Sequence, residues 1–272
     1  MLDFLKLPFS FDERQLLSDV MRVHPGDWTP HFNAEYYEGD WSGVALLSAG
    51  GSESEIYTPE TAETLAETPV LLRCRYFRHV LDTFHCRIKS ARLLRVGPGS
   101  AVLEHRDYNL SIAYGTARVH IPVCTNPALD FRVNGQRLVM KEGEAWYINF
   151  NLPHRLRNSG VTERIHLVLD CEVNEWFAGF FPPEELVQPD VNTLIEFPDE
   201  DRLKVVARTF RDFQQLVLKD LAMQKRLRDT EGLPEFCAAV VDIASDGGYY
   251  FTQRDVKDML RESRREWNGK WR

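Results

Sequence analysis

The chain has 272 residues, 43% of them hydrophobic, and a formal net charge of −8. That is enough apolar material for a sizeable core, and too little basic charge to grip nucleic acid or an anionic membrane, because phosphate binding depends on clustered Lys and Arg. Five cysteines, Cys74, Cys86, Cys124, Cys171 and Cys237, form no C-x-x-C pair and are odd in number, so free thiols are expected instead of a zinc ribbon or a disulfide framework.

MLDFLKLPFSFDERQ carries Asp3 and Asp12 and has neither a basic start nor a long apolar run. No signal peptide or membrane anchor is expected there, and the expected address is cytoplasmic. FDERQLLSDVMRV spaces Leu16, Leu17, Val20 and Met21 as a helix does, whereas WSGVALLS followed by AGGSESE reads as a strand entering a loop. ETAETLAETPVLLRCRYFRHVLDTFHC predicts one or two amphipathic helices with a break near Pro69. Residues 1–89 are therefore expected to be a mixed region of helix and strand, packed against a β domain that begins at Ser90.

From Ser90 the period changes to that of strands. SARLLRV, AVLEH, ARVHIPVCT, LDFRV, QRLVMK, EAWYINF and ERIHLVLDCEV are short runs rich in Val, Ile and aromatics, and Asn134-Gly135 between two of them is the strongest hairpin signal in the chain. Successive short strands without intervening helices predict an antiparallel sandwich or barrel over residues 90–183, with a jelly roll among the commonest solutions. The prolines of FFPPEELVQPD mark its end. Residues 201–228 read as one long helix, LPEFCAAVVDIASDG and TQRDVKDMLRESRREW as two more, with Thr252 and Asp255 spaced as a capping box. A helical module, residues 201–272, is expected to brace the barrel or to pair two copies as a homodimer.

His105 and Asp107 in EHRDYN are two apart near a strand end, so both can face one side. His154 in NLPHRLRNSG supplies a third ligand from a distant strand. Two histidines and one carboxylate on one face of a metal leave other positions open, as in non-haem Fe(II) oxygenases. Such chemistry needs an electron-rich cosubstrate such as 2-oxoglutarate, and Arg164 in ERIHLVLD offers a planar guanidinium for its distal carboxylate. In ARVHIPV, Arg118 and His120 share a face, adding a cation and a donor for the metal-bound carboxylate or the substrate. His166 reads as a hydrogen-bonded core histidine.

HRD, RVHIPV, LPHRLRNSG and RIHLVLD, in this order and spacing, resemble the aspartyl/asparaginyl β-hydroxylase family of Fe(II)- and 2-oxoglutarate-dependent oxygenases over roughly residues 30–175. The resemblance implies a double-stranded β-helix of the cupin-like kind, iron at His105, Asp107 and His154, 2-oxoglutarate at Arg164 and His120, and O2 as cosubstrate. Peptide aspartyl hydroxylases have glycine where this chain has Asp107, so the likeness is nearer the bacterial cis-proline hydroxylases, where RLLRV and HRDY have counterparts. The expected reaction hydroxylates an amino acid, free or as Asp, Asn or Pro in a peptide, and leaves succinate and CO2. Trp41 in EGDWSG lies where the family has a tryptophan near the pocket, and Arg95 in RLLRV either holds a substrate carboxylate or lines the barrel rim. The carboxy-terminal segment resembles the Nif11-like domain of peptide precursors. The rival expectations are a cupin-like binding protein without turnover and a different metal-dependent cupin enzyme.

Overall fold

Short alternating runs, each ended by turn residues, fold as strands of two antiparallel sheets. The computed structural model describes residues 2–31, 36–56, 64–107, 110–187 and 210–246, together with 249, 253, 255–257, 259 and 260. In chain order the strands are β1 (Phe4–Ser10), β2 (Thr29–Pro30), β3 (Tyr37–Glu38), β4 (Trp41–Ala49), β5 (Leu65–Glu67), β6 (Ile88–Val96), β7 (Ala101–His105), β8 (Thr116–Cys124), β9 (Leu129–Val133), β10 (Gln136–Arg137), β11 (Glu144–Ile148), β12 (His154–Asn158) and β13 (Arg164–Glu172). One sheet runs β1-β11-β8-β13-β6-β4-β2 with β5 on β4, and the other β10-β9-β12-β7-β3.

From β6 onward the chain passes between the sheets: β6, β8, β11 and β13 lie in the first, β7, β9, β10 and β12 in the second. This is the expected double-stranded β-helix. The hairpin at Asn134-Gly135 has φ of 50° and 75°, the doubly positive pair that a tight two-residue turn requires. The first 89 residues are more continuous with the barrel than expected, because β1 pairs with β11 and β4 with β6, extending the first sheet at both edges. Residues Met1–Gln188 form one compact unit and Pro189–Arg272 a second.

The first sheet is buried on both faces. On β13, Ile165, Leu167, Leu169 and Cys171 face outward into a core shared with Leu16 of α1 (Glu13–Val20), Val70 and Leu71 of α2 (Pro69–Arg73), Phe77, Val80 and Leu81 of α3 (Arg75–Asp82), and Phe177 of α4 (Glu175–Ala178). The alternate residues, Arg164, His166, Val168 and Asp170, face the space between the sheets. Asp19 at the end of α1 is buried and accepts the N–H groups of Tyr76 and Phe77 at 2.6 and 2.9 Å, capping α3.

Two helical expectations change. Leu65–Glu67 is a strand on β4, and Pro69 starts α2 in place of breaking a helix, since Thr68 caps it by accepting the Leu71 N–H and a proline lacks only an N–H that the first turn leaves unpaired. The long helix expected over 201–228 is divided at Asp220 between α5 (210–219) and α6 (Leu221–Arg228). The Asp220 carboxylate accepts from the Ala222 and Met223 N–H groups, which favours a new helix start over continuation. With α7 (Leu233–Asp246), these helices gather Phe210, Phe213, Cys237, Val240 and Ile243 into their own core. Thr252 of the expected capping box lies outside the described residues, as do residues 201–209. No helix among the described residues is long and apolar enough to cross a membrane.

Leu167 is fully buried on the outward face. Leu167→Ala is expected to lower stability by about 2–5 kcal/mol through cavity formation, read as a fall in the urea midpoint, while leaving metal affinity unchanged because the inward face is not altered.

Candidate metal centre

His105 ends β7 and His154 begins β12, and antiparallel pairing sets them directly opposite each other, with ring centroids 4.2 Å apart. Asp107 lies two residues beyond the end of β7, so a loop contact and not strand alternation aims it: its N–H donates to the Phe150 carbonyl at 2.9 Å. Ligand atoms of the three side chains lie within 4.8 Å of one another. Each histidine engages a backbone carbonyl through Nδ1, His105 to Leu103 at 2.7 Å and His154 to Leu152 at 3.0 Å. A carbonyl only accepts, so Nδ1 carries the proton and Nε2 is left with its lone pair for a metal.

The charge states suit a divalent cation. Burial alone would raise the Asp107 pKa, but Arg118, His105 and His154 together hold it down at about 2. Burial and the neighbouring His105 push His154 down to about 3, so it is neutral at ordinary pH. Asp107 presents Oδ1 to His105 Nε2 at 3.7 Å, and a third of its side chain stays exposed. Two imidazole nitrogens and one carboxylate oxygen are a donor set that a first-row divalent metal accepts.

Arg118 on β8 donates from Nη1 to Asp107 Oδ2 at 2.5 Å, and from Nε and Nη2 to Asp170 Oδ1 and Oδ2 at 2.6 and 3.1 Å. Asp170 also accepts from Arg92 Nη1 at 2.9 Å, and the same Nη1 donates to Ser90 Oγ at 2.6 Å. Phe150 backs the site, stacking on His120 at 4.9 Å and lying edge-on to His154 at 4.5 Å.

Arg164, His120 and His166 form a second buried group. Arg164 Nη2 lies 2.9 Å from His166 Nδ1 and 3.3 Å from His120 Nδ1, and the two Nδ1 atoms are 3.2 Å apart. Burial lowers the Arg164 pKa to about 9, and no carboxylate among the described residues offsets that effect. His120 Nε2 is buried without a hydrogen-bond partner. Arg164 and His166 open on a cavity of about 270 Å³ whose apolar wall includes Phe131, Leu138, Met140 and Leu156.

Trp41 shares the inward face, opposite Val96, with its ring 6.3 Å from that of His105. His31 stacks on Trp41 at 3.6 Å, and Tyr36 lies parallel to His105 at 5.2 Å. Arg95 does not share the face of the triad. Its partner across the sheet is Ile165, which belongs to the outward core, so Arg95 points to the face away from the triad, over the Trp28 ring at 4.5 Å and beside Ser42 and Asp40.

Sequence reasoning missed Asp170 and Arg92. Arg164, His166 and Asp170 differ by even numbers along RIHLVLD, a parity that could have found Asp170. Arg92 and Arg95 differ by three, so only one of them can share that face, and choosing between them requires the register. Nothing in the sequence signals the His31–Trp41 stack.

Burial pushes both His120 and His166 well below the usual histidine range, with Arg164 adding to it. Below about pH 6.5 the unfolded chain therefore binds three protons, at His120, His166 and His154, that the native metal-free chain does not, so stability rises with pH and is lost on acidification through that value. The slope expected from these three groups is about 4 kcal/mol per pH unit, and His166→Gln is expected to lower it by about a third. Urea midpoints of the metal-free protein between about pH 7.5 and 5.5 measure this, and a flat profile contradicts it.

A model of the aspartyl/asparaginyl beta-hydroxylase family matches residues 12–173. L-proline cis-4-hydroxylase of Rhizobium meliloti (strain 1021) is 26% identical over 173 residues, which are 62% of this chain and 61% of that protein. The chain thus spans less than two thirds of that relative. Among solved structures, a Trichoplax adhaerens prolyl hydroxylase in complex with a hypoxia inducible factor peptide fragment is 12% identical, covering 66% of this chain and 88% of that one at a TM-score of 0.42. An oxidoreductase of the 2OG-Fe(II) oxygenase family from Burkholderia pseudomallei is 16% identical, covering 62% and 85% at a TM-score of 0.40. The matched stretch of sequence holds every barrel strand from β6 to β13 and the whole His105, Asp107 and His154 cluster, and the chain belongs to the aspartyl/asparaginyl β-hydroxylase family.

Proposed function

We propose that the chain is an Fe(II)- and 2-oxoglutarate-dependent hydroxylase that oxidises a C–H bond of an amino acid, with O2 as the second cosubstrate and succinate and CO2 as coproducts. The observation that carries this reading is a His-Asp-His cluster in the same compact unit as a buried guanidinium whose charge no carboxylate among the described residues offsets. A lone buried cation is costly unless an anion joins it. A dicarboxylic keto acid answers both features.

In this reading His105 and His154 hold iron through Nε2 and Asp107 holds it through Oδ1, leaving coordination positions open. Bound iron supplies the redox chemistry that links O2 and the keto acid to the C–H bond. Arg164 pairs with the distal carboxylate of 2-oxoglutarate, and His120 offers it the unpartnered Nε2. Phe150 and the apolar wall of the cavity keep water from the desolvated ion pair. We assign Arg118 to the metal carboxylate in preference to the substrate, because its guanidinium already serves Asp107 and Asp170.

For the substrate class we favour a free amino acid with a compact apolar body. Trp41 and Tyr36 place two aromatic rings beside His105, and the curated relative carries the name of a proline hydroxylase. Five free cysteines suit a reducing cytoplasm.

Anaerobic loading with Fe(II) and 2-oxoglutarate, admission of oxygen, and mass spectrometry across a panel of amino acids and peptides tests the proposal. Succinate formation stimulated by one panel member, with a product heavier by one oxygen atom, is expected. Absence of succinate under all conditions would return the chain to a binding protein or to a metal enzyme that uses no keto acid. His154→Ala is expected to abolish metal binding and turnover together. Arg164→Ala is expected to keep the metal but weaken 2-oxoglutarate binding by roughly 3–5 kcal/mol, with Arg164→Lys recovering part. Unchanged oxoglutarate affinity in Arg164→Ala would show that another cation holds the carboxylate.

A further inference from the structure

The inward faces of three neighbouring strands carry three charges of a row that Asp107 completes from a loop. Arg92 lies on β6, Asp170 on β13, Arg118 on β8, and Asp107 on the loop after β7. Asp170 and Arg118 are direct cross-strand partners. The Arg92 and Asp170 side chains are 1% and 13% exposed and that of Arg118 11%, so the row is largely withdrawn from water. Burial would raise the Asp170 pKa, yet Arg118 and Arg92 hold it well below the usual carboxylate range, so the row carries alternating full charges.

The geometry within the row has a direction. Arg118 spends Nε and Nη2 on the two oxygens of Asp170, a two-point contact that fixes the guanidinium plane. Arg118 meets Asp107 through Nη1, which donates to Oδ2. Oδ1 is thereby left facing His105 Nε2. A guanidinium released from Asp170 could turn its fork on Asp107 and hold both oxygens, drawing Oδ1 away from the histidines.

We propose that Asp170 and Arg92 are positioning residues of the metal centre: Arg92 anchors Asp170, Asp170 fixes the Arg118 fork, and the fork limits itself to one oxygen of Asp107 so that the other is presented to the metal. This rests on reading His105, Asp107 and His154 as metal ligands. Neither positioning residue belongs to the His105, Asp107 and His154 cluster. Their effect is felt in the affinity and symmetry of the metal site.

Titration of the full-length protein with Co(II), followed by calorimetry and visible absorption, tests the row without turnover. Asp170→Asn is expected to weaken Co(II) binding roughly 10- to 100-fold and to alter the Co(II) absorption bands, although every ligand is intact. Arg92→Lys keeps the charge but displaces the donor that Nη1 supplies to Asp170 and Ser90, and is expected to weaken binding several-fold with the same spectral change. In an Arg118→Met background, Asp170→Asn is expected to cause no further loss, because the effect passes through Arg118. Melting curves without metal identify folded variants, and if Asp170→Asn does not fold, Arg92→Lys alone decides. Wild-type affinity and spectrum in the folded variants would overturn the proposal, as would an equal loss in both Arg118 backgrounds. If wild-type protein binds no Co(II), or His154→Ala binds it as well as wild type, the metal assignment itself fails and the positioning role falls with it.

Discussion

A sheet buried on both faces must meet two environments with one alternating strand, and this constraint organises the molecule. Along β13 the outward residues Ile165, Leu167 and Leu169 join an apolar core, while the inward Arg164, His166 and Asp170 face polar and charged neighbours. The helices exist to cover the first set. A fully buried leucine contributes roughly 1.5–3 kcal/mol of transfer free energy, so the outward core can hold the sheet in shape while the inward face gives up apolar packing for chemistry. That division lets a barrel interior be ionic without becoming unstable.

Withdrawal from water makes those inward charges act on one another. In a medium of low effective dielectric, a guanidinium beside a carboxylate outweighs the carboxylate's own desolvation, as the lowered Asp107 and Asp170 pKa values reflect. Where no partner carboxylate is close, burial acts alone, and Arg164 is lowered instead. Within one compact unit the same physics keeps Asp107 ionised beside two histidines and leaves Arg164 buried with no opposing carboxylate among the described residues.

Much of this was legible in the sequence because it depends on spacing. Period-two runs gave the barrel strands, Asn134-Gly135 gave the hairpin, and His105, Asp107, His154, Arg118, His120 and Arg164 were selected from four short motifs. What was not legible depends on register and on competition. Whether Arg92 or Arg95 faces inward is decided by which residue of β13 each opposes, a long-range fact. The strand at Leu65–Glu67 and the interruption at Asp220 were decided by local contacts, a pairing with β4 and a side-chain cap, that override helical periodicity. Asp107 was selected for a strand alternation it does not use; a backbone hydrogen bond from the loop to Phe150 aims it.

The central claim is that the cation site and the anion site serve one ligand together. The most direct measurement is the affinity of 2-oxoglutarate for the protein with and without bound metal, made anaerobically by calorimetry with Mn(II) in place of iron. If the keto acid spans metal and Arg164, the metal is expected to tighten oxoglutarate binding by about tenfold or more, and oxoglutarate to tighten the metal by the same factor. Equal oxoglutarate affinity in the metal-free and metal-loaded protein would mean two independent sites, and would contradict the account.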